Sequence, residues 1–420
     1  MGVPVVARAP GKIILSGEHA VVHGSTAVAA SIDLCTKVSV SLPSDADGAS
    51  GLLELRLEDL ELVFSWSIER LKEILPVCDT SPSSSSLETL QSAAILVEEQ
   101  NIPEAKIGLA AGVFAFLCLH TAIRGIKPAV VVVTSDLPLG SGLGSSAAFC
   151  VSLSAALLAS SGSISLDCNE HGWLSPNSEE LELVNRWAFE GEKVIHGKPS
   201  GIDNTVSTFG NMIMFQSGKL TQIKSYAPLR MLITNTKVGR NTQALVAGVS
   251  ERALRYPGAM ASVFSAVDSI SKELSAIIQS PATNDFSITE KEEKIQELME
   301  MNQGLLQCMG VSHASIETVL RTTLKYQLPS KLTGGGGGGC VLTLLPTLLA
   351  GAVIDKVITE LEGCQGRMFE GFHGAIAKHL PFRLPFFELS SREICLKFSK
   401  NNSAFEEPAV ICELVENVGR

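Results

Sequence analysis

The sequence predicts an α+β protein whose two domains share a cleft. At 420 residues the chain is longer than one average domain, so two are expected. Hydrophobic residues make up 45% and charged residues 18% of it, which suits a globular chain with a sizeable core. Strand-like and helix-like stretches interleave without the regular βαβ rhythm of a doubly wound sheet, and no repeat at solenoid periods is present.

Pro4 to Ala9 reads as an extended segment ending in a Pro10-Gly11 turn signal. Lys37 to Leu42 is a second strand-like stretch, and Asp79 to Ser86 a Ser-rich loop without assignable chemistry. A helix over Ile107–Ile123 leads to Ala129–Thr134, where four successive valines mark a buried strand. A Gly/Ser-rich turn from Leu139 to Ser146 precedes the apolar helix Ala147–Ala159. Asn177 and Glu180 have the spacing of a capping box at the start of a further helix. The domain boundary falls within Gly218–Pro228, before the apolar strand Leu229–Thr234, giving domains 1–225 and 226–362. Helices over about Gln243–Ile278 and Thr289–Met309 then lead to a glycine run, Gly334–Gly339.

The formal net charge is −11 and no basic run offsets it, which argues against a general nucleic-acid partner. None of the ten cysteines forms a C-x-x-C pair; with no signal-peptide pattern, reduced thiols in a cytoplasmic protein are expected. A peroxisomal-type pattern over Lys12-Ile13 and His19-Ala20 is already explained by the motif those residues belong to, and the chain ends Val418-Gly419-Arg420 rather than in S-K-L. The longest apolar run, Ile107 to Leu119, stops at His120, short of the roughly 18 residues of a membrane span. A buried helix is expected there.

Five stretches carry chemistry. In Pro138-Leu139-Gly140-Ser141-Gly142-Leu143-Gly144-Ser145-Ser146, three glycines allow a tight curl that presents backbone N–H groups to one point. The following helix aims its positive end at the same point, and a serine hydroxyl there is suited to a phosphate-bridging Mg²⁺. The alternative is a glycine-rich turn with a serine cap. On the helix from Asn177, Leu181, Val184, Ala188, Gly191 and Ile195 form an apolar stripe with Glu192 at its edge and Glu190 nearly opposite, in solvent. Glu192 then needs a partner, a metal ion or a lysine. Asp203 follows a Pro199-Ser200-Gly201 turn, as a turn cap or as the base for an attacking hydroxyl. Near the N-terminus Lys12, Glu18 and His19 sit among apolar and small residues, and a lysine there can neutralise transferring phosphate. The run from Lys331 to Cys340 is either a linker or a loop allowing close backbone approach to a ligand.

Together, Ala9–His19, Pro138–Ala148 and Lys331–Cys340 resemble the three motifs of the GHMP kinases, in the family's order. The resemblance runs from about residue 4 to about residue 362. Within that superfamily the residues after His19, Ala20-Val21-Val22-His23-Gly24, are similar to the mevalonate kinases of plants rather than to galactokinases, which carry Asp-Tyr there. Arg186–Glu192, Ile195–Thr208 and Thr234–Lys237 are similar to the same group. The resemblance implies a ribosomal-S5-like N-terminal domain and a ferredoxin-like C-terminal domain with ATP in the cleft. It also implies phosphorylation of the C5 hydroxyl of mevalonate, within isoprenoid and sterol synthesis. In that scheme Asp203 is the base, assisted by Lys12. Gly140, Ser141, Gly142, Leu143, Gly144, Ser145 and Ser146, with Lys12, hold the ATP phosphates. Ser146 and Glu192 ligate Mg²⁺, and His19, Glu18 and Thr242 line the substrate region. Feedback inhibition by prenyl diphosphates and a homodimer are further implications. A kinase for another small alcohol, or a metabolite-binding relative without turnover, are the alternatives.

Two departures from the family pattern stand out. Gly335 occupies a position where alanine is usual, and a small effect is expected. The tail from Gly363 to Arg420 does not align with the closing strands of the family, and reads as a splice variant or frameshifted gene product that would leave a sheet edge open.

Overall fold

The first sheet is built around a long antiparallel pair, β1 (Val5–Ser16) and β2 (Ala27–Ser41). The computed structural model describes residues 4–43, 51–76, 87–103, 107–164, 173–174, 177–223, 229–239, 241–282, 284–368, 387–389 and 397–399. The Ser-rich loop 79–86 lies outside them, as does most of the tail.

After β2 come β3 (Leu52–Leu57), β4 (Leu62–Ser67), α1 (Ile68–Ile74), α2 (Leu87–Glu98), α3 (Ile107–Arg124) and β5 (Ala129–Ser135). Next are α4 (Ser145–Ser160), β6 (Trp173–Leu174), α5 (Ser178–His196), α6 (Ile202–Phe209), β7 (Met212–Gln216) and β8 (Lys219–Ile223). The second half holds β9 (Leu229–Asn235), α7 (Thr242–Arg255), α8 (Pro257–Gln279), α9 (Asp285–Met309), α10 (Ala314–Leu324), β10 (Ser330–Leu332), β11 (Cys340–Leu344) and α11 (Gly351–Met368). In the tail, β12 (Phe387–Leu389) and β13 (Lys397–Ser399) are described. The first sheet runs β4-β3-β5-β2-β1-β13-β6, with β7 also on β2 and β8 on β7; the second runs β10-β11-β9-β12. Only the β3–β5 pair is parallel among these ladders. In the second sheet, β12 from the tail pairs antiparallel with β9.

Several local readings change. Pro10-Gly11 is not a turn: β1 continues through it, and the β1–β2 register shifts between Pro10 and Lys12. A Cβ on Gly11 would lie 2.5 Å from Leu137 Cδ2 and 2.7 Å from the Leu143 carbonyl, so the glycine marks a bulge where another segment presses close. β2 begins ten residues before the strand read at Lys37, because Ala27 to Ile32 are buried without the alternation that signals a strand. The polar stretch after Gly218 forms β8, paired with β7 of the first sheet. The long helix read over Gln243–Ile278 is interrupted at Tyr256, with Pro257 opening α8, where proline's fixed φ and missing N–H are tolerated.

α3, α4 and α5 pack on one face of the first sheet in a core that includes Phe116, Leu117, Val151, Leu153, Val184 and Trp187. Ile107–Leu119 is thus a core helix, and among the described residues no helix is long and apolar enough to cross a membrane. A second core joins the two sheets: Ile13 and Ile32 of the first meet Met231, Ile233 and Leu342 of the second and Leu274 of α8. Each such side chain contributes about 1.5–3 kcal/mol on burial, so the seam between the sheets is a packed interior. β1 lies at that seam and carries the first functional side chains.

Candidate active site

The β1 bulge turns Lys12 inward, where it is buried. Its backbone N–H donates to the Leu143 carbonyl at 2.7 Å, and its Nζ lies 3.1 Å from Asp203 Oδ2. Asp203 is held there by the docking of α6. Ser207 Oγ donates to the Pro10 carbonyl at 2.6 Å, and Asn204 Nδ2 to Asn185 Oδ1 of α5 at 2.7 Å. The helix cap is Gly201, in the left-handed region at φ 80°. Asp203 sits in the first turn, one-third exposed (34%) with its carboxylate on the lysine.

The glycine loop folds directly over Lys12. Gly140, Gly142 and Gly144 have φ of 69°, 87° and 76°, values that side chains disfavour. A Cβ on Gly144 would also lie 2.9 Å from Lys12 Cγ. Gly144 is the N-cap of α4, so the free amides of that helix open beside the Lys12–Asp203 pair. Ser145 and Ser146 form its first turn. Ser146 Oγ is 3.0 Å from His196 Nε2 and is hydrogen-bonded to Glu192.

Asn177 and Glu180 make the full capping box that their spacing predicts, which starts α5 at Ser178. Glu192 is 2% exposed. Burial, and then the negative charge of Asp203, pushes its carboxyl up to about 8, with the Ser146 hydrogen bond and Lys12 opposing. Its Oε1 is buried without a hydrogen-bond partner. Glu190, expected in solvent, is instead half-buried and paired with Lys193 at 2.6 Å, because it borders the groove where α5 meets Cys118 and Leu119.

A second cluster joins the end of β1 to the glycine run. His19 Nε2 bonds the Gly335 carbonyl at 2.8 Å, while Glu18 pairs with Lys331 in full burial. Desolvation lowers the Lys331 ammonium, and Glu18 opposes that shift. Thr242, at the start of α7, is exposed and lies against Gly335: a Cβ there would be 3.0 Å from Thr242 Cγ2. The glycine run is packed and not a linker. A Cβ on Gly336 would lie 2.2 Å from the Val311 carbonyl, and one on Gly338 2.6 Å from that of Val238.

The structure thus brings Lys12, Asp203, Ser146, Glu192 and the glycine loop into one site, and His19, Glu18 and Thr242 around the glycine run. His196 and Lys331 were not singled out from the sequence. His196 stands one helical turn after Glu192, a spacing that places both on one face. Lys331 gives no such sign, since its partner is 313 residues away.

The profile of the GHMP kinases N terminal domain matches residues 108–211, and that of the GHMP kinases C terminal domain residues 288–362. A mevalonate kinase of Arabidopsis thaliana is 62% identical over 375 residues, covering 88% of this chain and 97% of that protein. The chain belongs to the mevalonate kinase family. The family's Homo sapiens mevalonate kinase is 38% identical over 370 residues, covering 86% of this chain and 90% of its own length. Among solved structures, Methanococcus jannaschii mevalonate kinase superposes with a TM-score of 0.61 at 21% identity, over 85% of this chain and 94% of that one. L. major mevalonate kinase in complex with R-mevalonate gives 0.59 at 22% identity, over 85% and 90%. These likenesses show that the two-domain GHMP kinase fold is shared.

Proposed function

We propose that the chain transfers the γ-phosphate of ATP to the C5 hydroxyl of (R)-mevalonate, giving 5-phosphomevalonate for isoprenoid and sterol synthesis. The observation that carries this reading is the Lys12–Asp203 pair, 3.1 Å apart beneath the glycine loop. The buried Lys12 ammonium orients the Asp203 carboxylate, whose other oxygen can accept a proton from a hydroxyl placed beside it. Asp203 takes the proton of the attacking hydroxyl. Lys12 offsets negative charge on the transferring phosphoryl group, a contribution that grows where water is excluded. The amides of Gly140 to Ser146 receive the ATP phosphates at the N-terminus of α4.

Among the described residues no cluster of three or more His, Cys, Asp and Glu side chains suits a metal ion. The donors present nevertheless fit magnesium, which binds through one or two protein oxygens and completes its shell with phosphates and water. Ser146 Oγ and the partnerless buried Oε1 of Glu192 would hold it, and it would supply charge neutralisation on the phosphates. His19, Glu18 and Thr242 order the acceptor side. Prenyl diphosphates, which carry a pyrophosphate that the same amides suit, are expected to compete with ATP. A cytoplasmic homodimer completes the reading.

The test is ADP release from the full chain with Mg-ATP and mevalonate, galactose, homoserine or no acceptor. Release with mevalonate alone supports the assignment, and release with a sugar or homoserine instead replaces the substrate.

A further inference from the structure

Lys331 takes no part in the chemistry above, yet it is among the largest fully buried side chains of the protein. Its ammonium donates to the Leu332 carbonyl at 2.7 Å, to the Ile14 carbonyl at 3.3 Å and to Glu18 Oε1. Both charged side chains are 0% exposed. Removing such groups from water costs several kcal/mol each, and well-packed apolar residues of similar volume often serve stability as well. Stability alone is therefore a poor reason for an ion pair here.

Its location gives a better one. The pair joins the end of β1 in the first sheet to β10 in the second, and two other contacts cross the same seam. Thr333 Oγ1 accepts from Ile14 N–H at 2.9 Å and donates to the Ile14 carbonyl at 3.1 Å, while His19 reaches Gly335. The crossing segment is conformationally demanding. Gly17 has φ of 101°, with Ala27 Cα 2.4 Å from where a Cβ would be, and His19 has φ of 58°. A left-handed residue other than glycine costs roughly 1–2 kcal/mol and persists only where its surroundings enforce it. Glu18 lies between the two, and Lys331 is the cation that holds it.

We infer that Lys331 is a positioning residue for the acceptor. Through Glu18 it fixes the Glu18–His19 turn, and through its own strand the glycine run, in a set relation to Lys12 and Asp203. The choice of mevalonate as acceptor rests on the function proposed above; the positioning role does not.

The test is a double-mutant cycle in the full chain with Glu18→Gln, Lys331→Met and both together, read by Tm, nucleotide Kd, and kcat and KM for mevalonate. Each single variant should lower Tm and raise the mevalonate KM about tenfold, with nucleotide Kd changed less than about threefold. The double variant, which leaves no lone buried charge, should regain most of the Tm while its KM stays at the level of the single variants. A KM that recovers along with Tm reduces the pair to a structural role. KM effects that multiply in the double variant show that Lys331 does not act through Glu18, and either result overturns the inference. A wild-type chain that melts cooperatively and binds ATP without phosphorylating mevalonate would reject the substrate assignment alone. In that case hydrogen exchange decides: faster exchange over 14–24 and 333–340 in the double variant supports positioning, and unchanged exchange over both contradicts it.

Discussion

Burial and then the like charge of Asp203 govern Glu192, with the Ser146 hydroxyl and Lys12 opposing them. With its carboxyl pushed up to about 8, a cation must displace a proton or find one of the ionised molecules. Glu192→Gln keeps the shape and removes the charge. It should raise the Mg²⁺ concentration for half-maximal activity by about tenfold or more and lower turnover with it. A Mg²⁺ titration that superimposes on wild type would remove Glu192 from the metal site. Most of this residue set was legible in the sequence because each motif is local, with the glycines, serines and carboxylate within a few positions of one another. Lys331 was not, since its meaning depends on a partner brought close only by the joining of the two sheets. The solvent position read for Glu190 failed for a related reason: a helical wheel does not show that α3 packs along that flank of α5.

At the scale of elements, the glycine run separates two kinds of glycine. Gly335 has no left-handed φ, and a methyl there meets only the end of the Thr242 side chain at 3.0–3.1 Å. Gly335→Ala should therefore change stability by less than about 1 kcal/mol, in keeping with the small effect expected from the sequence. Gly336 has φ of 72° and would set a methyl 2.2 Å from a backbone oxygen. Gly336→Ala should cost about 2–4 kcal/mol, since neither strain nor clash can relax locally. Urea unfolding of the two variants checks the contrast, and equal midpoints would contradict the packed loop. The helices were legible from apolar periodicity and, for α5, from its capping box. β1 and β2 were read too short: a bulge at Pro10-Gly11 looks like a turn, and a buried run of small residues from Ala27 does not look like a strand.

At the scale of the whole molecule, the sequence indicated an α+β class and a two-domain cleft but not the strand order, which depends on pairings between distant segments such as β2 with β5 and β7. The first core also holds a titratable group. His120 lies fully buried against Phe116, with both ring nitrogens lacking a hydrogen-bond partner. Burial, with Arg124 adding to it, lowers its pKa to about 3. The unfolded chain binds a proton near pH 6.5 that the folded chain refuses, so stability rises with pH between those limits. As pH falls below about 6.5, this group should cost the fold up to about 1.4 kcal/mol per pH unit. His120→Leu should flatten the fall in urea midpoint between pH 7 and 5, and a fall as steep as wild type would place the acid sensitivity elsewhere.

The chemistry itself rests on Asp203 facing Lys12. The most direct measurement is mevalonate-dependent ADP release by Asp203→Asn beside wild type, with nucleotide affinity measured in parallel. Turnover should fall by roughly 10²–10⁴, about 3–5 kcal/mol of barrier, while ATP binding is nearly unchanged. Near-normal turnover in that variant would contradict Asp203 as the base.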